Sequence, residues 1–233
     1  MSDDPDTRKD RLIHTYGRRR GRRLRNTQQT LLAETLPALA IAPGGERLDP
    51  VTLFRSGTAG VWLEIGFGGG EHLAAQAAAH PEIGFIGCEP FVNGVVSLLA
   101  QVKARGLGNV RVWQHDARDL IARLPDRSIG RAFVLFPDPW PKARHHKRRL
   151  IAQPFLDALA RVLQPGAVLR IATDDRDYLA WMLERLTVHP AFSWCARRPQ
   201  DWRVRPSDWP ETRYERKAIA AGRTPAYLQF VRN

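Results

Sequence analysis

The sequence predicts an α/β fold, a doubly wound and mostly parallel sheet with helices on both faces. Three observations predict it. Five short β-rich runs alternate with helical stretches from residue 61 onward. Their connections are short, as in successive βαβ units. A last run, AYLQFVR at 226–232, alternates like a final strand of the chain and is expected to be antiparallel.

Taken in order, the first thirty residues read as a basic extension, expected to be flexible. Met1–Asp10 is acidic and polar, and residues 18–25 then pack six arginines into eight positions. Runs of this kind are usually disordered and often contact nucleic acid. Residues 31–60 mix a short apolar patch with Pro37, Pro43, Gly44, Gly45 and Pro50, and form a lead-in expected to drape over the main domain. That domain spans 61–233. Its β-rich runs are VWLEIG (61–66), FIGCE (85–89), VRVWQHD (110–116), RAFVLFPD (131–138) and VLRIATDD (168–175). Helices are expected over 71–80, 91–105, 117–124, 148–164 and 176–188. No internal repeat is present.

A chain of 233 residues with 43% hydrophobic content suits one sizeable α/β domain with short extensions. Lys and Arg outnumber Asp and Glu by 36 to 24, giving a net charge of +12. A balance this basic favours a polyanionic partner such as nucleic acid. The apolar stretches are too short to span a membrane. Cys88 and Cys195 are the only cysteines, which excludes a disulfide scaffold and a cysteine metal site and suits a reducing, cytoplasmic compartment.

The chemistry gathers at the ends of the strands. Glu64-Ile65-Gly66-Phe67-Gly68-Gly69-Gly70-Glu71 closes the first strand and opens the first helix. Glycines there let the backbone turn tightly and let a ligand lie against bare main chain, at the carboxyl edge where open α/β sheets bind ligands. A dinucleotide fingerprint needs a third glycine where Glu71 stands, and an acid at a helix N-terminus opposes a pyrophosphate. A cationic, phosphate-free cofactor suits Glu64 and the glycines Gly66, Gly68 and Gly70 better. Glu89 ends the second strand, where a carboxylate can accept from both hydroxyls of a ribose. Asp116 ends the third, placed for an adenine amino group, and Asp138 ends the fourth on the same crevice. Four acidic strand ends around one glycine loop resemble the S-adenosylmethionine-dependent methyltransferase pattern.

FPDPWPKARHHKRR at 136–149 follows directly. Pro137 and Pro139 stiffen the chain around Asp138. Trp140 offers a face for a splayed base, and Lys142, Arg144, Lys147, Arg148 and Arg149 can neutralise phosphates. A solvated charge run is the bland alternative. His145 and His146 lack the partner ligands of a metal site.

PDPWPKARHHKRR, the LEIGFGGG loop and TRYERKAIAAGRTPAYLQF at 212–230 together resemble the bacterial tRNA (guanine-N7-)-methyltransferase family, from about residue 60 to the C-terminus. The resemblance implies a Rossmann-like class I methyltransferase fold and methyl transfer from S-adenosylmethionine to N7 of a guanine in tRNA, at position 46 of the variable loop. It further implies Asp138 as the catalytic carboxylate, Lys142 and Asp174 as substrate contacts, and Thr212, Arg213, Tyr214 and Glu215 as a base-reading segment. On spacing alone, Thr212 and Glu215 also fit a capping box, and Asp174 or Asp175 fits a helix N-cap. Two alternatives stay open: a methyltransferase acting on another RNA base, and an RNA-binding protein that keeps the fold only as scaffold.

Overall fold

In a computed structural model the described residues are 15–233. The acidic beginning of the extension, Met1–Asp10, lies outside them. Seven strands form one sheet in the order β3-β2-β1-β4-β5-β7-β6. β1 (Gly60–Ile65), β2 (Ile83–Cys88), β3 (Val110–Trp113), β4 (Ile129–Leu135) and β5 (Leu163–Thr173) are mutually parallel. β7 (Ala226–Arg232) pairs antiparallel with β5, and β6 (Phe192–Trp194) pairs antiparallel with β7. The antiparallel last strand is therefore as expected, whereas the three-residue β6 was too short to leave a periodic signal.

The helices are α1 (Asn26–Glu34), α2 (Leu36–Leu39), α3 (Glu71–Ala79), α4 (Val92–Arg105), α5 (Ala117–Arg123), α6 (Gln153–Val162), α7 (Arg176–Leu186), α8 (Gln200–Arg203) and α9 (Arg213–Ala220). Successive strand side chains point to opposite faces, and both faces are covered. Val61, Leu63, Ile65 and Ile86 enter one buried cluster with Leu120, Leu156 and Met182 from α5, α6 and α7. Phe85, Val110 and Val112 enter the other with Leu73, Val95 and Leu99 from α3 and α4. In the lead-in, Leu31, Leu32 and Leu36 pack against that second cluster, and Ile41 N–H donates to Val112 O at 2.9 Å.

The helix expected over 148–164 begins later and ends sooner. Residues 143–148 form a 3-10 turn instead, α6 starts with Pro154 in its first turn, and β5 already runs from Leu163. Basic residues at 144–149 carry no apolar face to bury, so the sequence there does not sustain an α-helix. Strand order reverses between β1 and β4, and this switch point places the carboxyl ends of β1, β2, β3 and β4 around one crevice.

Candidate active site

A crevice of about 430 Å³ lies at that edge. Gly66 and Gly68 from the turn after β1, Glu89 after β2, Asp116 after β3 and Asp138 after β4 all line it. Five of the expected cofactor contacts thus converge.

The glycine turn is built for close approach. Gly68 has φ +54°, and a Cβ there would stand 2.7 Å from Cε2 of the Tyr214 ring. Tyr214, exposed at the start of α9, therefore lies directly over the turn and joins the crevice wall. Gly70, with φ +78°, is the N-cap residue of α3. A Cβ on it would meet Leu98 at 2.7 Å, so its smallness serves helix packing, and it stands outside the crevice lining.

Glu89 holds the turn in place. Its Oε2 accepts from Gly68 N–H at 2.8 Å and its Oε1 from Phe91 N–H at 2.9 Å. Burial pushes its carboxyl up from 4.5 to about 7, against those two N–H donors and with further upward push from Asp138 and Glu64. A carboxylate kept at that value is poised to gain a nearby cation. Glu64 is buried and paired with His72 Nδ1 at 2.7 Å, and it does not line the crevice. Asp116 caps α5 through Arg118 N–H at 2.9 Å and holds the Arg118 guanidinium by two bonds of 2.8 and 2.7 Å.

Phe136 and Trp140, on either side of Pro137-Asp138-Pro139, both have left-handed backbone, φ +51° and +46°. Each such non-glycine residue costs on the order of 1–3 kcal/mol and persists only where its surroundings over-determine it. Asp138 itself is solvent-exposed at the crevice mouth, yet enough protein surrounds its carboxyl that burial raises its pKa above the ordinary range.

The basic segment divides in three. Lys142, Arg144 and Lys147 are exposed. Arg148 lines the crevice, its guanidinium 5.0 Å from the ring centroids of both Trp140 and Tyr16. Arg149 is buried, and its side chain points inward rather than to solvent.

The remaining expected substrate contacts stand outside the crevice lining. Asp174 accepts from Arg223 Nε at 2.6 Å. Thr212 and Glu215 form the capping box of α9, with Glu215 N–H donating to Thr212 Oγ1 at 3.2 Å. The buried Glu215 carboxylate also accepts from Tyr227 OH and pairs with Arg205 Nε at 3.1 Å. Arg213 is exposed beside Tyr214.

Sequence reasoning missed the strap formed by residues 15–22. Thr15, Tyr16, Gly17 and Arg18 line the crevice. Val92 N–H donates to Arg19 O at 3.0 Å, Gly21 N–H to Asn93 Oδ1 at 2.8 Å, and Asn93 Nδ2 to Arg22 O at 2.9 Å. Six arginines in eight positions signalled a charged tail, and nothing in their pattern marked these main-chain bonds. Among the described residues, no cluster of three or more His, Cys, Asp or Glu side chains could hold a metal ion, and no helix is long and apolar enough to cross a membrane.

A family model described as "Putative methyltransferase" matches residues 58–227. The tRNA (guanine-N(7)-)-methyltransferase of Rhodospirillum rubrum is 55% identical over 221 residues, which is 93% of this chain and 87% of that protein. The enzyme of the same name from Roseobacter denitrificans is 51% identical over 224 residues, 93% of this chain and 95% of its own. Among solved structures, the 16S rRNA methyltransferase KamB superposes with a TM-score of 0.56 at 20% identity, over 77% of this chain and 91% of that one. An rRNA methylase from Streptococcus thermophilus gives 0.51 at 12% identity, over 75% and 87%. At those identities the likeness concerns the fold.

Proposed function

The chain belongs to the tRNA (guanine-N7-)-methyltransferase family, and from that premise we propose that its crevice binds S-adenosylmethionine and methylates N7 of a guanine in tRNA, at position 46 of the variable loop. The observation that carries this reading is the convergence of Gly66, Gly68, Glu89, Asp116 and Asp138 on one crevice whose rim continues into Trp140 and the exposed cations Lys142, Arg144 and Lys147.

The donor set fits such a cofactor. Glu89 and Asp116 are acceptors suited to ribose hydroxyls and an adenine amino group, and the Glu89 carboxyl gains from a positive neighbour. S-adenosylmethionine, when bound, supplies a methyl group on a positively charged sulfur. Held by Glu89, Asp116 and the glycine turn, it would supply that methyl to the guanine N7 lone pair, and the positive charge would pass from sulfur to the base. N7 carries no proton, so no general base is required. The protein has to align the two atoms, a contribution of several kcal/mol (up to about 7–11 kcal/mol for well-oriented reactants). Asp138, at the mouth between cofactor loop and basic rim, is placed to stabilise charge developing on the base. Trp140 offers the base a stacking face, worth roughly 1–3 kcal/mol. Arg148 and the exposed cations, Lys142 among them, would take phosphates, and Tyr214, which lines the crevice, is the residue of the 212–215 segment best placed to meet the base; a contact with Asp174, Thr212 or Arg213 would require the RNA to reach beyond the crevice wall. Glu215 can read the Watson–Crick edge only by exchanging its present partners Tyr227 and Arg205. A tRNA substrate is met in the cytoplasm, in keeping with the cysteine usage.

The test uses unmodified tRNA transcript, methyl-labelled S-adenosylmethionine and the Asp138→Ala variant. The reading expects label as 7-methylguanosine, lost in the variant while cofactor binding persists. Label in another nucleoside would overturn the base assignment. Tight tRNA binding with no label would favour a scaffold without catalysis.

A further inference from the structure

The cation that ends the basic run does something different from its neighbours. Arg149 is 3% exposed, so a phosphate cannot reach its guanidinium without unfolding its surroundings. Its Nε donates to Pro139 O at 2.9 Å, one residue after Asp138. Its Nη2 donates to the Asp177 carboxylate on α7. The same guanidinium lies over the rings of Tyr178 and Trp181, 5.0 and 4.9 Å from their centroids. A planar fork that bonds in two directions while stacking on aromatic faces is a role for arginine and not for lysine.

Beyond Arg149 the chain is tied to the same helix. Tyr178 OH accepts from Ile151 N–H at 3.1 Å, and Trp181 Nε1 donates to Ile151 O at 2.6 Å. The loop from Pro137 to Ile151 is therefore pinned to α7 at its return end and, through Arg149, at Pro139. That second pin falls between the two left-handed residues Phe136 and Trp140. Strain of that kind needs a clamp, and Arg149 is the buried group that supplies one.

We propose that Arg149 is a positioning residue that holds the Pro137-Asp138-Pro139 backbone in its strained form, so that Asp138 faces the crevice, and that it makes no contact with RNA. The inference rests on the reading of Asp138 as the carboxylate serving the reaction. Its consequence is a division of labour within ARHHKRR: the exposed cations meet the polyanion, and the last arginine builds the floor.

Steady-state kinetics and salt-dependent tRNA binding on Arg149→Lys and Arg149→Met test it. The expected result is a fall in kcat of about ten- to a hundredfold with both substrates saturating, the scale of a ~1 Å misplacement. Both variants should keep the wild-type slope of log Kd for tRNA against log salt. A phosphate contact predicts the reverse. Arg149→Met would then lower the slope by about 1, Arg149→Lys would keep it, and kcat at saturation would be unchanged, which overturns the proposal. Asp177→Asn loosens the outer prong from an exposed position and covers the case in which the Arg149 variants do not fold. A reduced kcat at unchanged slope supports the inference, and wild-type kcat refutes it. Asp138→Ala run alongside separates the two readings. If it retains kcat, the role given to Asp138 falls. If it loses kcat while the Arg149 and Asp177 variants do not, only the clamp falls.

Discussion

Cofactor affinity should depend on pH through Glu89, and the size of the effect follows from its surroundings. Burial lifts this carboxyl from 4.5 to about 7 in the free protein. The folded chain therefore binds more protons than the unfolded one between those values, and stability falls as pH rises through that window, by roughly 3 kcal/mol in total. A bound sulfonium reverses the balance, since a nearby positive charge favours the ionised form. Only the ionised carboxylate can accept from two hydroxyls while its oxygens already accept from Gly68 and Phe91 N–H. With a pKa of about 7, the competent fraction is about 0.9 at pH 8 and about 0.1 at pH 6, so the apparent Kd should rise about tenfold across that interval. Titration calorimetry at pH 6, 7 and 8, in buffers of different ionisation enthalpy, measures both the affinity and the proton released on binding. Glu89→Gln removes the titrating group and leaves the ligand's own amine to titrate. It should bind weakly at every pH, and the difference between the two profiles isolates Glu89. Superimposable wild-type and Gln profiles, with no proton release near pH 6.5 beyond that of the ligand, would refute the reasoning.

Three further outcomes follow from particular contacts. Lys142→Ala, Arg144→Ala and Lys147→Ala should each lower the slope of log Kd for tRNA against log salt by about 1 if each meets a phosphate; an unchanged slope removes that residue from the interface. Gly68→Ala places a Cβ at 2.7 Å from Tyr214 on a backbone with φ +54°, costing roughly 1–2 kcal/mol of backbone strain, and should weaken cofactor binding. Wild-type affinity in equilibrium dialysis would mean that the turn relaxes freely. Deleting residues 1–25 removes both the six arginines and the crevice wall formed by Thr15–Arg18, so it should flatten the salt dependence of tRNA binding and weaken cofactor binding together. Loss of only the former would show that the strap does not serve the cofactor.

Periodicity and punctuation made the parallel sheet legible, because short apolar runs bounded by helical stretches have few other ways to bury both faces. The glycine turn and the acidic ends at Glu89, Asp116 and Asp138 were legible for the same reason: strand termini in an α/β sheet share one edge whatever lies between them. Helix boundaries near 143–153 were not, because a run of cations has no apolar face to report its geometry. The roles of individual charged residues depended on where side chains pointed. Glu64 turns to His72, Glu215 to Tyr227 and Arg205, and Arg149 to Pro139 and Asp177, while Arg148 next to it opens on the crevice. Adjacent arginines are identical in any linear pattern, and burial separates them only once α7 and the strap are in place. Residue type and period were enough for the sheet, its ligand edge and the excess of basic charge. Which carboxylates line the crevice, which cation is buried and which segment forms the outer wall were decided by tertiary contacts, because partners from 8 to 72 residues apart in the chain meet only once the elements between them have packed.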